Sequence, residues 1–162
     1  MAEPVPQSVW RNWIHFLACG FGFGAIPWAP GTMGTIVAIP FFYILAPLPN
    51  TIYLMLLVIL FVAGCWLCEI AARDFGVHDH SGIVWDEIVG LLLALWGLPI
   101  AWPWVLLGFI LFRIFDITKP FPISWLDKQI GGGLGIMLDD VLAGLYALVI
   151  GHIALWVMWG TL

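Results

Sequence analysis

Charge is what this chain has least of. Its 162 residues include five Lys or Arg and ten Asp or Glu, 9% of the chain, against 63% hydrophobic residues. Soluble domains hold about 25% charged residues, so a water-soluble globule is the first class excluded. Asp, Glu, Lys and Arg are missing altogether from three runs, 12–68, 88–112 and 141–162. A charge in hydrocarbon is costly and gathers where the chain meets water. The bare runs therefore read as membrane segments, and the stretches Glu3–Arg11, Glu69–Glu87 and Arg113–Asp140 as polar loops. Few bases and a formal charge of −5 do not suggest nucleic acid, and none is expected as a partner.

Cysteine is scarce too. Cys19, Cys65 and Cys68 all sit among apolar neighbours; Cys65 and Cys68 have the spacing of a redox or zinc pair, but no second pair exists, and they read as small helix residues. Common catalytic signatures are also missing: no Gly-x-Ser-x-Gly elbow, no Cys-x5-Arg loop, no His-Glu-x-x-His and no Asp-x-Asp. Residues 1–11, with Glu3 and two prolines, do not read as a cleavable leader.

What is present is apolar helix, broken by Gly and Pro. Residues 12–34 are too rich in both for one straight span and read as a short or re-entrant segment. Thr35–Pro47 and Thr51–Cys68 read as helices joined by a turn at Pro47, Pro49 and Asn50. Within 88–112, Gly97, Pro99 and Pro103 favour a helical hairpin, Val84–Leu98 and Trp104–Phe115, over a single crossing. Val141–Trp159 is a last spanning helix, and eleven tryptophans suit two membrane interfaces. The expectation is an all-α, polytopic membrane bundle of one domain, residues 1–162. Two hairpins return every loop charge to one face, which the excess of Lys and Arg marks as cytoplasmic.

On that face lie the residues with chemistry. Asp86-Glu87 and Asp139-Asp140 are acidic pairs, each followed by apolar residues and a glycine, and both read as the first turn of a helix. With Asp79 and Asp116 they make six carboxylates that need a cation between them. Oxygen-only donors point to Mg2+, Mn2+ or Ca2+. Arg113 and Asp116 share a helix face and Lys119 follows before Pro120, cations suited to a phosphate. His78 and His80 flank Asp79 as candidates for proton transfer. Gly31-Thr32-Met33-Gly34 reads as a loop ahead of a helix, able to hold an anion with its N–H groups. Gly131–Gly135 reads as flexible backbone before Asp139, but lacks a P-loop ending. His15 and His152 read as structural, and Asp127 and Lys128, on a loop at Trp125–Gln129, as surface residues.

Together, Gly31-Thr-Met-Gly34, Asp74-Phe-Gly-Val-His-Asp-His80 with Ile83-Val-Trp-Asp-Glu87, Phe112-Arg-Ile-Phe-Asp-Ile-Thr-Lys-Pro120 and Gly133-Leu-Gly-Ile-Met-Leu-Asp-Asp140 resemble the phosphatidylglycerophosphatase A family. The resemblance runs from about Trp13 to the last helix. It implies a bacterial inner-membrane phosphatase that needs Mg2+ and converts phosphatidylglycerophosphate in the bilayer to phosphatidylglycerol. On this reading Asp79, Asp86, Glu87, Asp116, Asp139 and Asp140 hold metal, Arg113, Lys119 and Thr32 bind phosphate, and His78 or His80 moves a proton. The competing classes are another Mg2+-dependent lipid phosphotransferase, whose longer Asp-Gly signature is absent, and a cation transporter.

Overall fold

The computed structural model describes residues 4–77 and 80–160, the last two by backbone alone. Among them are seven α-helices and no strand, as the all-α expectation requires. They are α1 (Trp13–Ala18), α2 (Pro30–Leu45), α3 (Asn50–Phe75), α4 (Trp85–Leu95), α5 (Trp102–Thr118), α6 (Ile123–Gln129) and α7 (Gly132–Gly160).

Two helices are long and apolar enough to cross a membrane, Asn50–Phe75 and Gly132–Met158. At 1.5 Å per residue each exceeds the roughly 30 Å of a hydrocarbon core. The hairpin expected in 84–115 is present as α4 and α5. Its turn begins early, because α4 ends before Gly97, whose φ is +74°. Pro103 then falls in the first turn of α5, where its missing N–H costs nothing. α4 is the central element. Leu91, Leu92, Ala94 and Leu95 are fully buried, and α2, α3, α5 and α7 all pack on it. Tyr53 donates to the Leu92 carbonyl at 2.6 Å and Trp85 Nε1 to that of Leu60 at 3.1 Å, fastening α4 to α3.

Three local expectations are corrected. Gly31–Gly34 is not a loop before a helix; α2 starts at Pro30 and takes these residues into its first turns. Asp139 and Asp140 are not in a first turn, because α7 starts at Gly132, about two turns earlier. Glu69 makes that early start possible: its Oε2 accepts from Gly133 N–H at 2.6 Å and caps the helix. Asp127 and Lys128 lie on α6, not a loop.

The outer surface is apolar. Met55, Val58, Ile59 and Val62 on α3, Leu106 and Ile110 on α5, and Val149, Ile153 and Val157 on α7 are all exposed. Such a surface suits lipid and is unfavourable in water. Exposed tryptophans stand at both ends, with Trp10, Trp13, Trp28 and Trp125 at one and Trp102 and Trp156 at the other. These are positions for two interfacial belts.

Candidate active site

At one end of the bundle α2, α4 and α7 begin and α3 and α5 finish. α4 brings Asp86 and Glu87 there in its first turn, where orphan N–H groups favour anions. A bond from Val84 N–H to the Ala18 carbonyl at 2.9 Å fixes the entry into that turn. α7 brings Asp139 and Asp140. The two acidic pairs meet because α4 and α7 cross with their backbones in contact. A Cβ on Gly144 would lie 2.5 Å from the Gly90 carbonyl oxygen, and one on Gly90 would lie 2.8 Å from that of Asp140. The repeated pattern of acidic pair and then glycine is thus a device for crossing two helices beside their carboxylates. α5 adds Arg113, Asp116 and, at its left-handed C-cap with φ of +38°, Lys119.

Arg113 is the hub of one half. Its Nη1 lies 2.6 Å from Asp116 Oδ2 and 3.2 Å from Glu87 Oε1, and donates to Thr35 Oγ1 at 3.4 Å. Thr35 in turn donates to the Gly31 carbonyl at 2.8 Å. Glu87 is pressed on the first turns of α2. A Cβ on Gly34 would sit 2.5 Å from its Oε2, and one on Gly31 would overlap its Oε1. These two glycines therefore make room for an anion supplied by the chain itself. Lys119 is the hub of the other half, with Nζ 2.5 Å from Asp139 Oδ2 and 3.2 Å from Asp127 Oδ1. Burial works against the Lys119 charge, but the hydrogen bond and charge of Asp139, with Asp127 behind it, outweigh it. The ammonium pKa is raised.

Between the halves lies Asp140, 2% exposed, with the carboxylates of Asp86, Asp116, Asp139 and Glu87 close enough to act on it through their charge. Its Oδ2 is buried and has no hydrogen-bond donor among the described residues, and Arg113 Nε is buried without an acceptor. Asp86, Glu87, Asp116, Asp139 and Asp140 thus gather around two cations, with Asp127 at the edge. Among the described residues no three His, Cys, Asp or Glu side chains form a ready-made metal cage.

Thr32 and His80 make no side-chain hydrogen bond or ion pair with this cluster among the described residues. Thr32 is half-buried in the first turn of α2, and its side chain makes no hydrogen bond among the described residues. His80 is buried in its own loop. Its Nδ1 accepts from Gly82 N–H at 3.0 Å and its ring meets Phe75 edge-on at 5.2 Å. His78 and Asp79 lie outside the described residues. Asp127, read from sequence as a bystander, is a partner of Lys119. Thr35 and Glu69 were not legible as site or capping residues, since neither stands in a recognisable motif. His15 is structural as expected, bonded to Ser8 Oγ and Asp74 Oδ2, each at 3.0 Å. His152 bonds the Leu148 carbonyl within α7 at 2.9 Å.

Residues 16–155 match the family model described as Phosphatidylglycerophosphatase A. A phosphatidylglycerophosphatase A of Escherichia coli is 49% identical over 131 residues, covering 80% of this chain and 76% of its own. One of Haemophilus influenzae is 47% identical over 150 residues, 91% of this chain and 92% of its own. A Bacteroides thetaiotaomicron protein provisionally named a phosphatidylinositol-3-phosphatase is 39% identical over 150 residues, 88% and 93% of the two chains. No solved structure matches the chain.

Proposed function

Since this chain belongs to the phosphatidylglycerophosphatase A family, whose named members are phosphatases, we propose that it hydrolyses phosphatidylglycerophosphate to phosphatidylglycerol and inorganic phosphate in a bacterial inner membrane. The observation that carries this reading is the meeting of Arg113 and Lys119 with five carboxylates at one end of an apolar bundle. All five bases, Arg11, Arg73, Arg113, Lys119 and Lys128, belong to that end, and the turns 46–49 and 96–101 at the other have none. The positive-inside rule then turns the site to the cytoplasm in a multi-pass chain.

The residues fit Mg2+. The donors are all oxygen, acids outnumber bases, and Asp140 keeps a buried oxygen without a donor among the described residues. Mg2+ takes about one or two protein carboxylates and completes its shell with water and phosphate, so it needs no three-residue cage. Asp86, Glu87, Asp139 and Asp140 would hold one or two such ions, with Asp116 orienting and Asp79 a further candidate ligand. When bound, it supplies a positive charge opposite the phosphoryl group.

The chain supplies the rest. Arg113 and Lys119 bind the non-bridging phosphate oxygens and favour the charge of the transition state. Both are held in place by carboxylates, so little reorganisation is needed. At the start of α2 no side chain among the described residues caps the helix, so the N–H groups of Gly31 and Thr32 fall among its orphan donors and could receive an anion. In hydrolysis a water oxygen bonds to phosphorus, the bond to the glycerol oxygen breaks, and that oxygen takes a proton. His80, whose Nδ1 accepts from Gly82, carries its neutral-state proton on Nε2 and is a donor for that step, as is His78.

The test is phosphate release from phosphatidylglycerophosphate by the detergent-purified protein, with Mg2+ and then with EDTA. EDTA-sensitive release is expected. Folded protein that releases none contradicts the phosphatase reading, and release indifferent to EDTA removes Mg2+ from it. A requirement for a CDP-linked co-substrate would favour a transferase.

A further inference from the structure

We propose that the seam between α2 and α5 is the lateral port by which a lipid phosphomonoester brings its headgroup from the bilayer to Arg113 while its acyl chains stay in the membrane. This rests on the phosphatase reading and adds the route and the residues that line it.

The other seams around the acidic cluster are closed. Between α2 and α3 stands the N-terminal segment, where Phe21 stacks on Phe41 of α2 at 5.6 Å and Trp13 meets Trp66 of α3 at 5.8 Å. Between α3 and α7 the Glu69 cap on Gly133 joins the backbones. Between α5 and α7 lies α6, with Lys119 bonded to both Asp127 and Asp139, and the Tyr146 hydroxyl bonded to the Phe121 carbonyl at 3.2 Å. α2 and α5, which both flank Glu87, touch each other sparsely. Among the described residues one bond bars the seam, Arg113 to Thr35, and at 3.4 Å it is the longest that Arg113 makes there.

The rims suit acyl chains. On α5, Leu106, Ile110, Arg113 and Ile117 fall on one stripe at helical spacing, and the three apolar members are exposed. On α2, Thr32, Ile36, Ile39 and Tyr43 make a matching stripe, with Ile36 and Tyr43 exposed. Phe41, on the opposite flank of α2, faces Phe21, so the Thr32 stripe is the one turned toward α5. Each stripe runs from membrane-facing side chains up to a residue of the phosphate site. An apolar track ending at a buried cation fits an amphiphile with a phosphate head and does not fit a free sugar phosphate.

Ile36→Trp and Ile110→Trp narrow the port. Turnover is measured on long-chain phosphatidylglycerophosphate in mixed micelles and on its water-soluble dibutyryl analogue. The port predicts a rise of about tenfold in KM for the long-chain lipid, with kcat/KM for the analogue changed by less than about twofold. Val58→Trp, on the lipid-facing side of α3, changes neither. Ile110→Cys modified by a bulky maleimide after purification blocks the same place in protein already folded, with reagent-treated wild type as the blank. Active wild type whose port variants treat both substrates alike, or leave the long-chain KM unmoved, overturns the port alone. Wild type inactive on both substrates overturns the phosphatase reading and the port with it.

Discussion

Gly90 and Gly144 meet backbone to backbone where α4 crosses α7, with only 2.5 Å between the Gly90 carbonyl oxygen and where a Gly144 Cβ would stand. Every atom that a Gly144 Cβ would meet is Gly90 backbone, so the helices themselves must part if Gly144 grows. The crossing sets the distance between Asp86-Glu87 and Asp139-Asp140, and so the geometry of the whole cluster.

Gly144→Ala is therefore expected to cost about 1–3 kcal/mol of stability, as overpacking does, and to lower phosphate release about tenfold or more through misplacement of the carboxylates. Thermal unfolding in detergent and the phosphate assay check the two effects separately. An alanine variant with unchanged stability and activity would show that the crossing does not set the site.

Arg113→Lys keeps the charge and loses the fork that reaches Asp116, Glu87 and Thr35 together. A fall of about a hundredfold in kcat/KM is expected. Full activity in the lysine variant would mean that Arg113 acts as a point charge only.

Much of this arrangement was legible in the sequence, and the remainder for definite reasons was not. Gly97, Pro99 and Pro103 break α4 from α5 by local chemistry alone, so the hairpin could be read. The glycines at 31, 34 and 133 could not be read correctly, because their roles are tertiary. Gly31 and Gly34 are helical since Glu87 occupies the space their side chains would fill, and Gly133 is helical since it packs on the Cys65 carbonyl and Glu69. Helix propensity predicts loops at all three. The acidic pairs and the cations at 113 and 119 were visible as candidates because charge is so rare here. Thr35 and Asp127 were missed for the opposite reason, each being an ordinary residue whose importance comes from a partner distant in sequence.

Lys119 provides a pH test. Its pKa is raised in the folded chain, so its contribution to stability is fully present below the ordinary lysine value of about 10.4 and lost as pH rises through the folded value. The difference in unfolding temperature between wild type and Lys119→Gln is expected to be flat from about pH 6 to 9, with loss setting in only above about pH 10.4. A difference that already declines between about pH 6 and 9 would contradict the ion pairs with Asp139 and Asp127.

Asp127→Asn loosens Lys119 without touching Asp139, so a fall of a few fold, about 1 kcal/mol in the barrier, is expected. Lys128→Gln, one residue on and exposed, is expected to be indistinguishable from wild type. Equal effects from the two substitutions would deny the α6 ion pair a part in positioning Lys119.

The central claim is that the carboxylates gathered around Asp140 serve phosphate release and not the fold. Asp140→Asn tests it most directly, because the side chain keeps its shape while an amide replaces a carboxyl group buried among four other carboxylates. Phosphate release from phosphatidylglycerophosphate should fall about a thousandfold, while the unfolding temperature stays level or rises. Near-normal release from the asparagine variant, or lost release together with an unfolded protein, would contradict the account.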